Sequence, residues 1–188
     1  MKILTLQGSG RKKGNTAKAL DFAEQELISL DHEVESVYLS DKSLKGCLGC
    51  AACKKKPDEI GCVQKDDIPE ILEKMVNAQA VIFASPLYFW GVNAQLKAVI
   101  DRTYSLYTLY HEPGHASLVE GQRQALLMTG AGPWDNNAEA AFTAFSRIQN
   151  PHKAVFAGEL FIGGCTTPDQ MDDAIKTRVI EFARKFVE

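Results

Sequence analysis

The chain has 188 residues, of which 45% are hydrophobic and 24% are charged, and its formal net charge is −3. This is the composition of an ordinary globular protein of one domain, and the near-neutral balance argues against nucleic-acid binding. No stretch approaches the roughly 18 apolar residues of a membrane helix, and the chain start lacks the pattern of a signal peptide. We therefore expect one domain over residues 1–188, in the cytoplasm, with no membrane or nucleic-acid partner.

Short apolar runs with the length of strands alternate along the chain with segments of helical periodicity. The predicted strands are residues 2–7, 33–39, 80–84, 124–129 and 154–162. The first predicted helix begins at a cap, Asn15 or Thr16, and the second begins at Asp67, with Glu70 completing a capping box. The other three predicted helices cover residues 93–104, 138–148 and 168–187. Five strands that alternate with five helices predict an α/β fold, a parallel sheet with helices on both faces.

Ligands of open parallel sheets bind beyond the carboxyl ends of the strands. Three predicted loops leave those ends with unusual chemistry, at residues 7–16, 85–91 and 130–136. The first loop combines glycines with Ser9, Arg11 and Asn15, and it precedes a helix whose free N–H groups favour an anion. It matches neither the dinucleotide fingerprint nor the P-loop pattern. A phosphate site and a polar turn that only caps the helix both remain open.

Three adjacent aromatic residues mark the second loop, Tyr88, Phe89 and Trp90. Neighbouring side chains of an extended segment point in different directions, so the three rings cannot all enter one core. Flat rings and turned backbone amides suit a planar heterocycle with polar edges. Packing under a neighbouring loop or in an interface is the alternative for each ring.

Three stretches of the chain carry a family pattern. They are residues 8–16, the cluster of Cys47, Cys50, Cys53 and Cys62 leading to residues 65–67, and residues 85–91 with their extension at residues 96–102. Together they resemble the NADPH-dependent FMN reductase and iron–sulfur flavoprotein branch of the flavodoxin-like superfamily. The resemblance implies a flavodoxin-like, doubly wound, five-stranded parallel sheet that binds FMN. It also implies NADH or NADPH as hydride donor and a homodimer or homotetramer with the flavin near a subunit interface.

By the same resemblance, the first loop holds the FMN phosphate, the second flanks the isoalloxazine ring and the third completes the ring pocket. The residues so implied are Ser9, Arg11, Gly14, Asn15 and Thr16 in the first loop, Pro86, Leu87, Tyr88, Phe89, Trp90 and Gly91 in the second, and Gly130, Ala131 and Gly132 in the third.

Four of the five cysteines cluster in sequence, at Cys47, Cys50, Cys53 and Cys62. The first three have the spacing that begins a bacterial ferredoxin ligand run, but the fourth follows later than in iron–sulfur flavoproteins. A [4Fe–4S] cluster, a structural zinc site and metal-free thiols remain open. We expect little or no iron in aerobically prepared protein. We also expect this loop to stand beside the flavin entrance, because the second strand ends on the same sheet edge as the first.

The leading hypothesis is an FMN-dependent oxidoreductase that passes electrons from NAD(P)H through FMN to a small-molecule or protein acceptor. No catalytic acid or base is expected, because the flavin carries the redox chemistry. Two alternatives belong to other classes: an iron–sulfur electron carrier without substrate turnover, and a redox module in which the cysteines switch.

Overall fold

The computed structural model describes residues 1–56 and 58–188. Its strands are β1 (Lys2–Gln7), β2 (Glu33–Tyr38), β3 (Ala80–Tyr88), β4 (Gly91–Val92), β5 (Tyr107–Thr108), β6 (Ala116–Ser117), β7 (Arg123–Thr129) and β8 (Val155–Ile162). Its α-helices are α1 (Asn15–Ser29), α2 (Ile68–Val76), α3 (Ala94–Arg102), α4 (Glu139–Ser146), α5 (Gln149–His152) and α6 (Asp173–Val187). None of the helices in these described ranges is both long and apolar enough to span a membrane.

The main sheet has the strand order β2-β1-β3-β7-β8, with every neighbouring pair parallel. This is the flavodoxin-like order, and it confirms the predicted five-stranded parallel sheet. The short β4 pairs antiparallel with the end of β3, while β5 and β6 form a separate two-stranded sheet. Because the five main strands are parallel, their carboxyl ends lie along one edge, which we call the carboxyl edge.

Two apolar clusters cover the two faces of this sheet. Helices α1 and α6 pack on one face, where Leu20, Leu27 and Phe186 are buried. Helices α2, α3 and α4 pack on the other face, where Ile71 and Phe142 are buried. Each fully buried large apolar side chain stabilises the fold by about 1.5–3 kcal/mol. These side chains lie at the helical spacing from which the sequence predicts the helices.

Several element boundaries differ from those predicted. Gly14, rather than Asn15 or Thr16, is the N-cap of α1. The N-cap of α2 is Asp67 as predicted, but the capping box is wrong because the Asp67 carboxylate accepts from the Ser43 N–H at 2.7 Å. Competing tertiary hydrogen bonds therefore redirected the side chains that local sequence rules had assigned to helix starts.

The last helix is shorter than predicted, and β3 is longer. A 3₁₀ turn at Pro168–Gln170 precedes α6, whose cap is the Asp172 side chain. Strand β3 continues to Tyr88, so that the first part of the predicted aromatic loop is strand. The pairing of Leu87 with Val92 in β4 explains this extension, since the partner strand was not predicted.

Candidate functional site

The three predicted loops meet at the carboxyl edge. The first loop is joined to β3 by the Gly8 N–H, which donates to the Ala84 carbonyl at 2.8 Å. The Asn93 side chain, at the start of α3, donates to the Gly8 carbonyl. A Cβ on Gly8 would lie 2.5 Å from Asn93 Oδ1, so only glycine allows this approach. Asn93 was not predicted as part of the site; its signal was an N-cap residue before an apolar periodic segment.

The first loop ends at a helix start that no side chain caps. Gly14 caps α1 without a side-chain hydrogen bond, and the first turn of α1 has no acidic residue. Ser9 Oγ accepts from the Arg11 N–H at 3.1 Å, which fixes the turn, while the Arg11 side chain is exposed. Unpaired N–H groups and an exposed guanidinium fit a phosphate, because both donate hydrogen bonds and carry positive charge.

The side chains of Asn15 and Thr16 have partners on other loops. Asn15 Nδ2 donates to the Cys165 carbonyl at 2.8 Å, and the buried Thr16 hydroxyl bonds the Thr129 hydroxyl at 2.8 Å. The structure thus brings both residues to the predicted edge, where they link the first loop to the ends of β7 and β8. Arg11 is the better probe of a phosphate site, since Thr16 also joins α1 to the end of β7.

The aromatic residues form the tip of the β3–β4 hairpin. Phe89 and Trp90 have φ values of +46° and +62°, in a region that bulky residues rarely adopt. Their exposed fractions are 94% and 58%, and that of Tyr88 is 57%. None of the three rings is therefore buried in the core. Backbone strain of this kind costs roughly 1–3 kcal/mol per residue and is often found at ligand sites.

The third loop is fixed to the end of β8. The Gly130 N–H donates to the Ile162 carbonyl at 3.0 Å, and the Cys165 N–H donates back to the Gly130 carbonyl at 3.2 Å. Ala131 is exposed, and Gly132 accepts from the Gly164 N–H at 3.3 Å. These bonds place the Gly130–Ala131–Gly132 segment at the carboxyl edge with the other two loops.

All four clustered cysteines line one small pocket, which we call the cysteine pocket. Cys47 and Cys50 are exposed, whereas Cys53 and Cys62 are half-buried. Gly61 turns the chain back beside Cys53: a Cβ on Gly61 would lie 2.9 Å from the Cys53 carbonyl oxygen. Burial, with the neighbouring Cys62 and Cys50 sulfurs, raises the pKa of the Cys53 thiol against the lowering effect of Lys54.

The cysteine pocket fits four thiolate ligands in number and type. In the described ranges, no three His, Cys, Asp or Glu side chains are grouped so that they could hold a single metal ion. A tetrahedral zinc needs four thiolates around one ion, whereas a [4Fe–4S] cluster spreads four cysteines over separate iron atoms. Four cysteine thiolates match the ligand type of both, so the two metal alternatives stay open.

The cysteine pocket lies away from the phosphate loop. The chain that carries the clustered cysteines, residues 40–56 and 58–65, is called the cysteine segment. It leaves the carboxyl edge as predicted, where the Ser40 hydroxyl donates to the Ser9 carbonyl at 3.0 Å. The pocket itself is lined by Arg102, at the opposite end of α3 from Asn93. Nine residues of α-helix separate these ends by about 13 Å. The expectation that the cysteine loop stands beside the flavin entrance stays a prediction, since this distance is measured from the phosphate loop.

A buried ion pair borders the cysteine pocket. Arg102 Nη1 and Nη2 donate to the two carboxylate oxygens of Asp66 at 3.0 and 3.2 Å. Burial raises the pKa of the Asp66 carboxyl, but hydrogen bonds from Arg102 and from the Lys45 and Ile68 N–H groups outweigh it, so that the pKa is lowered. Neither residue was predicted as part of the site, although both lie in stretches that carry the family resemblance.

Lys54 binds the cysteine segment to the residues that follow α3. Its ammonium donates to the carbonyls of Tyr104 and Tyr107 and lies 3.6 and 4.5 Å from the centroids of their rings. Burial lowers the pKa of Lys54. Charged hydrogen bonds and cation–π contacts are both strengthened by partial burial, so this contact is a main anchor of the segment.

We expect the change Lys54→Met to loosen the cysteine segment without unfolding the sheet. Losing charged hydrogen bonds of about 1.5–3 kcal/mol should accelerate amide hydrogen exchange in residues 47–55 roughly tenfold or more. The matched control is Lys55→Met, since Lys55 is the exposed neighbour. Equal exchange in the two variants would show that Lys54 does not anchor the segment.

A family model described as NADPH-dependent FMN reductase matches residues 1–157. An iron–sulfur flavoprotein of Archaeoglobus fulgidus is 38% identical over 132 residues, which are 70% of this chain and 56% of that protein. One of Methanocaldococcus jannaschii is 39% identical over 65% of this chain and 64% of its own length. The chain thus spans between about half and two thirds of the curated relatives it matches.

Solved structures share the fold at low sequence identity. An FMN-dependent NADH-azoreductase from Bacillus anthracis, in complex with FMN, has a TM-score of 0.74 at 13% identity, with 100% of both chains covered. An NAD(P)H:quinone oxidoreductase from Methanothermobacter marburgensis has a TM-score of 0.70 at 19% identity, with 98% of this chain and 93% of that chain covered. At such identities the likeness establishes the fold.

Proposed function

The chain belongs to the NADPH-dependent FMN reductase family, and on that premise we propose that it is an oxidoreductase that passes electrons from NADH or NADPH through bound FMN to a small-molecule or protein acceptor. The observation that carries this proposal is the meeting of three loops at the carboxyl edge, with an uncapped helix start and the exposed Arg11 in the first of them. We propose that residues 1–188 act as one FMN-binding domain.

Bound FMN would supply the redox chemistry, and the protein supplies binding, orientation and electrostatics. In this proposal, the N–H groups at the start of α1 and the Arg11 guanidinium bind the phosphate. The β3–β4 hairpin, with Tyr88, Phe89 and Trp90, would flank the isoalloxazine ring, and the Gly130–Ala131–Gly132 segment would complete the ring pocket. The strained hairpin tip holds aromatic rings outside the core, where they can stack on a planar ligand.

The first test is the identity of the flavin and of the hydride donor. We expect heat-denatured protein to release FMN, and the intact protein to oxidise NADH or NADPH with quinone, azo, nitro or ferric acceptors. Release of FAD would contradict the proposed phosphate site, because the first loop offers one helix start and no pyrophosphate fingerprint. Bound FMN without turnover of any acceptor would favour an electron carrier instead.

Arg11→Gln should weaken FMN binding about tenfold or more, because a hydrogen bond to a charged group contributes roughly 1.5–3 kcal/mol. Arg11 is exposed, so its side chain can be changed without opening the core. Fluorescence titration of the flavin-free protein measures the change. Lys13→Gln removes the same charge from the same exposed loop and serves as control. Unchanged affinity in Arg11→Gln would mean that Arg11 does not hold the phosphate.

We propose, as a second function of the same chain, that the cysteine pocket holds a [4Fe–4S] cluster on Cys47, Cys50, Cys53 and Cys62. Two observations favour it: the four side chains line one pocket, and curated relatives at 38% and 39% identity are named iron–sulfur flavoproteins. Such a cluster would pass single electrons to or from the flavin.

Anaerobic reconstitution with ferrous iron and sulfide tests the cluster. We expect about four iron atoms per chain, lost in Cys62→Ala, as a four-cysteine cluster requires. Cys165→Ala is the matched control, because Cys165 is buried in the α1–α6 cluster instead. Protein that binds one zinc or no metal would favour the structural-site or free-thiol alternatives, and thiol titration with and without oxidant would then test a redox switch.

A homodimer or homotetramer is also proposed, with the exposed hairpin tip as part of its interface. Phe89 is 94% exposed, and covering a large aromatic side chain with a partner surface is favourable. Light scattering of the flavin-loaded protein measures the assembly. A monomer at micromolar concentration would contradict this part of the proposal.

A further inference from the structure

Residues 65–67 and 96–102, which both carry the family resemblance, meet in the structure through Asp66 and Arg102. Their side chains are 0% and 1% exposed, and the two hydrogen bonds between them form a parallel fork. Arg102 Nη1 also donates to the Lys45 carbonyl at 3.1 Å. The guanidinium is therefore fixed on one side by a carboxylate and a carbonyl.

Two of the five N–H donors of this guanidinium are left after these three bonds. One of them is Nε, which is buried and meets no acceptor in hydrogen-bond geometry among the described residues. Buried N–H donors are nearly always paired, so an unpaired one calls for a ligand or another missing acceptor. Arg102 lines the cysteine pocket with all four cysteines. Burial lowers the pKa of Arg102, but the Asp66 carboxylate and the nearby Cys62 thiol outweigh it, so that the pKa is raised.

The chemistry of the pocket explains why arginine stands here. A guanidinium has five N–H donors in a rigid plane, so it can bind both oxygens of Asp66 and still present Nε to a third acceptor. A lysine has no such fork. Four thiolates with a cluster carry net negative charge, and hydrogen bonds to their sulfurs are a main means by which a protein sets a cluster's potential.

We propose that Arg102 is the positioning residue of the iron–sulfur cluster: its Nε–H donates a hydrogen bond to sulfur at the Cys62 side of the pocket, and its charge, held in place by Asp66, offsets that of the thiolates. This inference rests on the proposed cluster. It assigns a role that the ligand cysteines cannot fill, because thiolates only accept hydrogen bonds.

The test compares anaerobically reconstituted wild type with Arg102→Lys and Arg102→Gln, all as full chains with FMN. Both variants should lose iron to a chelator about tenfold faster than wild type, and the cluster's midpoint potential should fall, further in Arg102→Gln than in Arg102→Lys. Lys55→Gln, which removes an exposed charge from the same segment, should match wild type.

A measurement on wild type covers the case in which both variants fail to fold. Protein labelled with [¹⁵N]arginine, with its cluster reduced, should show hyperfine coupling between the cluster spin and an arginine nitrogen. Iron-loaded wild type without this coupling, or variants with unchanged iron loss and potential, would overturn the role of Arg102 alone. Wild type that binds no iron would overturn the cluster proposal and the inference with it.

Discussion

Asp66→Ala should lower the free energy of unfolding of the metal-free protein by about 3–5 kcal/mol, because removing one partner leaves the other charge buried and uncompensated. The Asp66 carboxylate accepts from Arg102 and also from the Lys45 N–H at 2.9 Å and the Ile68 N–H at 3.3 Å. The substitution therefore leaves a guanidinium and two backbone donors without their acceptor. Urea denaturation at neutral pH measures the change.

Asp101→Ala is the matched control for that result. Asp101 pairs with Lys97 at 2.6 Å on the same helix, but both side chains are well exposed. Surface pairs contribute at most about 1 kcal/mol, so this variant should remain close to wild type. Equal losses in the two variants would show that Arg102 finds another partner when Asp66 is removed, and that the buried pair is not a main support of this region.

The stability of the protein should fall by about 3 kcal/mol between pH 6.5 and pH 4 through His152 alone. Burial lowers the pKa of His152 to about 4 from its ordinary value of 6.5. Its ring nitrogens contact Gln124 Oε1 at 3.1 Å and Thr103 Oγ1 at 2.8 Å, with no carboxylate among these partners. In this pH range the unfolded chain binds a proton that the folded protein excludes, so stability rises with pH.

The measurement is urea unfolding at several pH values for wild type and His152→Gln. The variant keeps a polar side chain but has no titrating group, so the difference between the two curves isolates His152. This difference should be constant above about pH 7.5, grow as the pH falls and level off below about pH 4. His111→Gln is the control, because His111 is exposed. Parallel curves for wild type and His152→Gln would show that burial does not lower the pKa of His152.

Local sequence patterns predicted the five main strands, the parallel sheet and the three loops at one edge. These features depend on local periodicity, as in the buried face of Leu20, Ala23 and Leu27, and on the rule that parallel strands share a carboxyl edge. The family motifs added the expected roles of the loop residues, because each motif is short and continuous in sequence.

Contacts between side chains from distant stretches could not be predicted from the sequence. Thr16 bonds Thr129, Asp66 bonds Arg102 and Lys54 reaches Tyr104, although each pair is separated by more than thirty residues. Local rules assign such polar residues to caps and turns, because sequence spacing contains no information on contacts between loops. For the same reason the course of the cysteine segment along α3, which separates the cysteine pocket from the phosphate loop, depends on packing rather than on spacing.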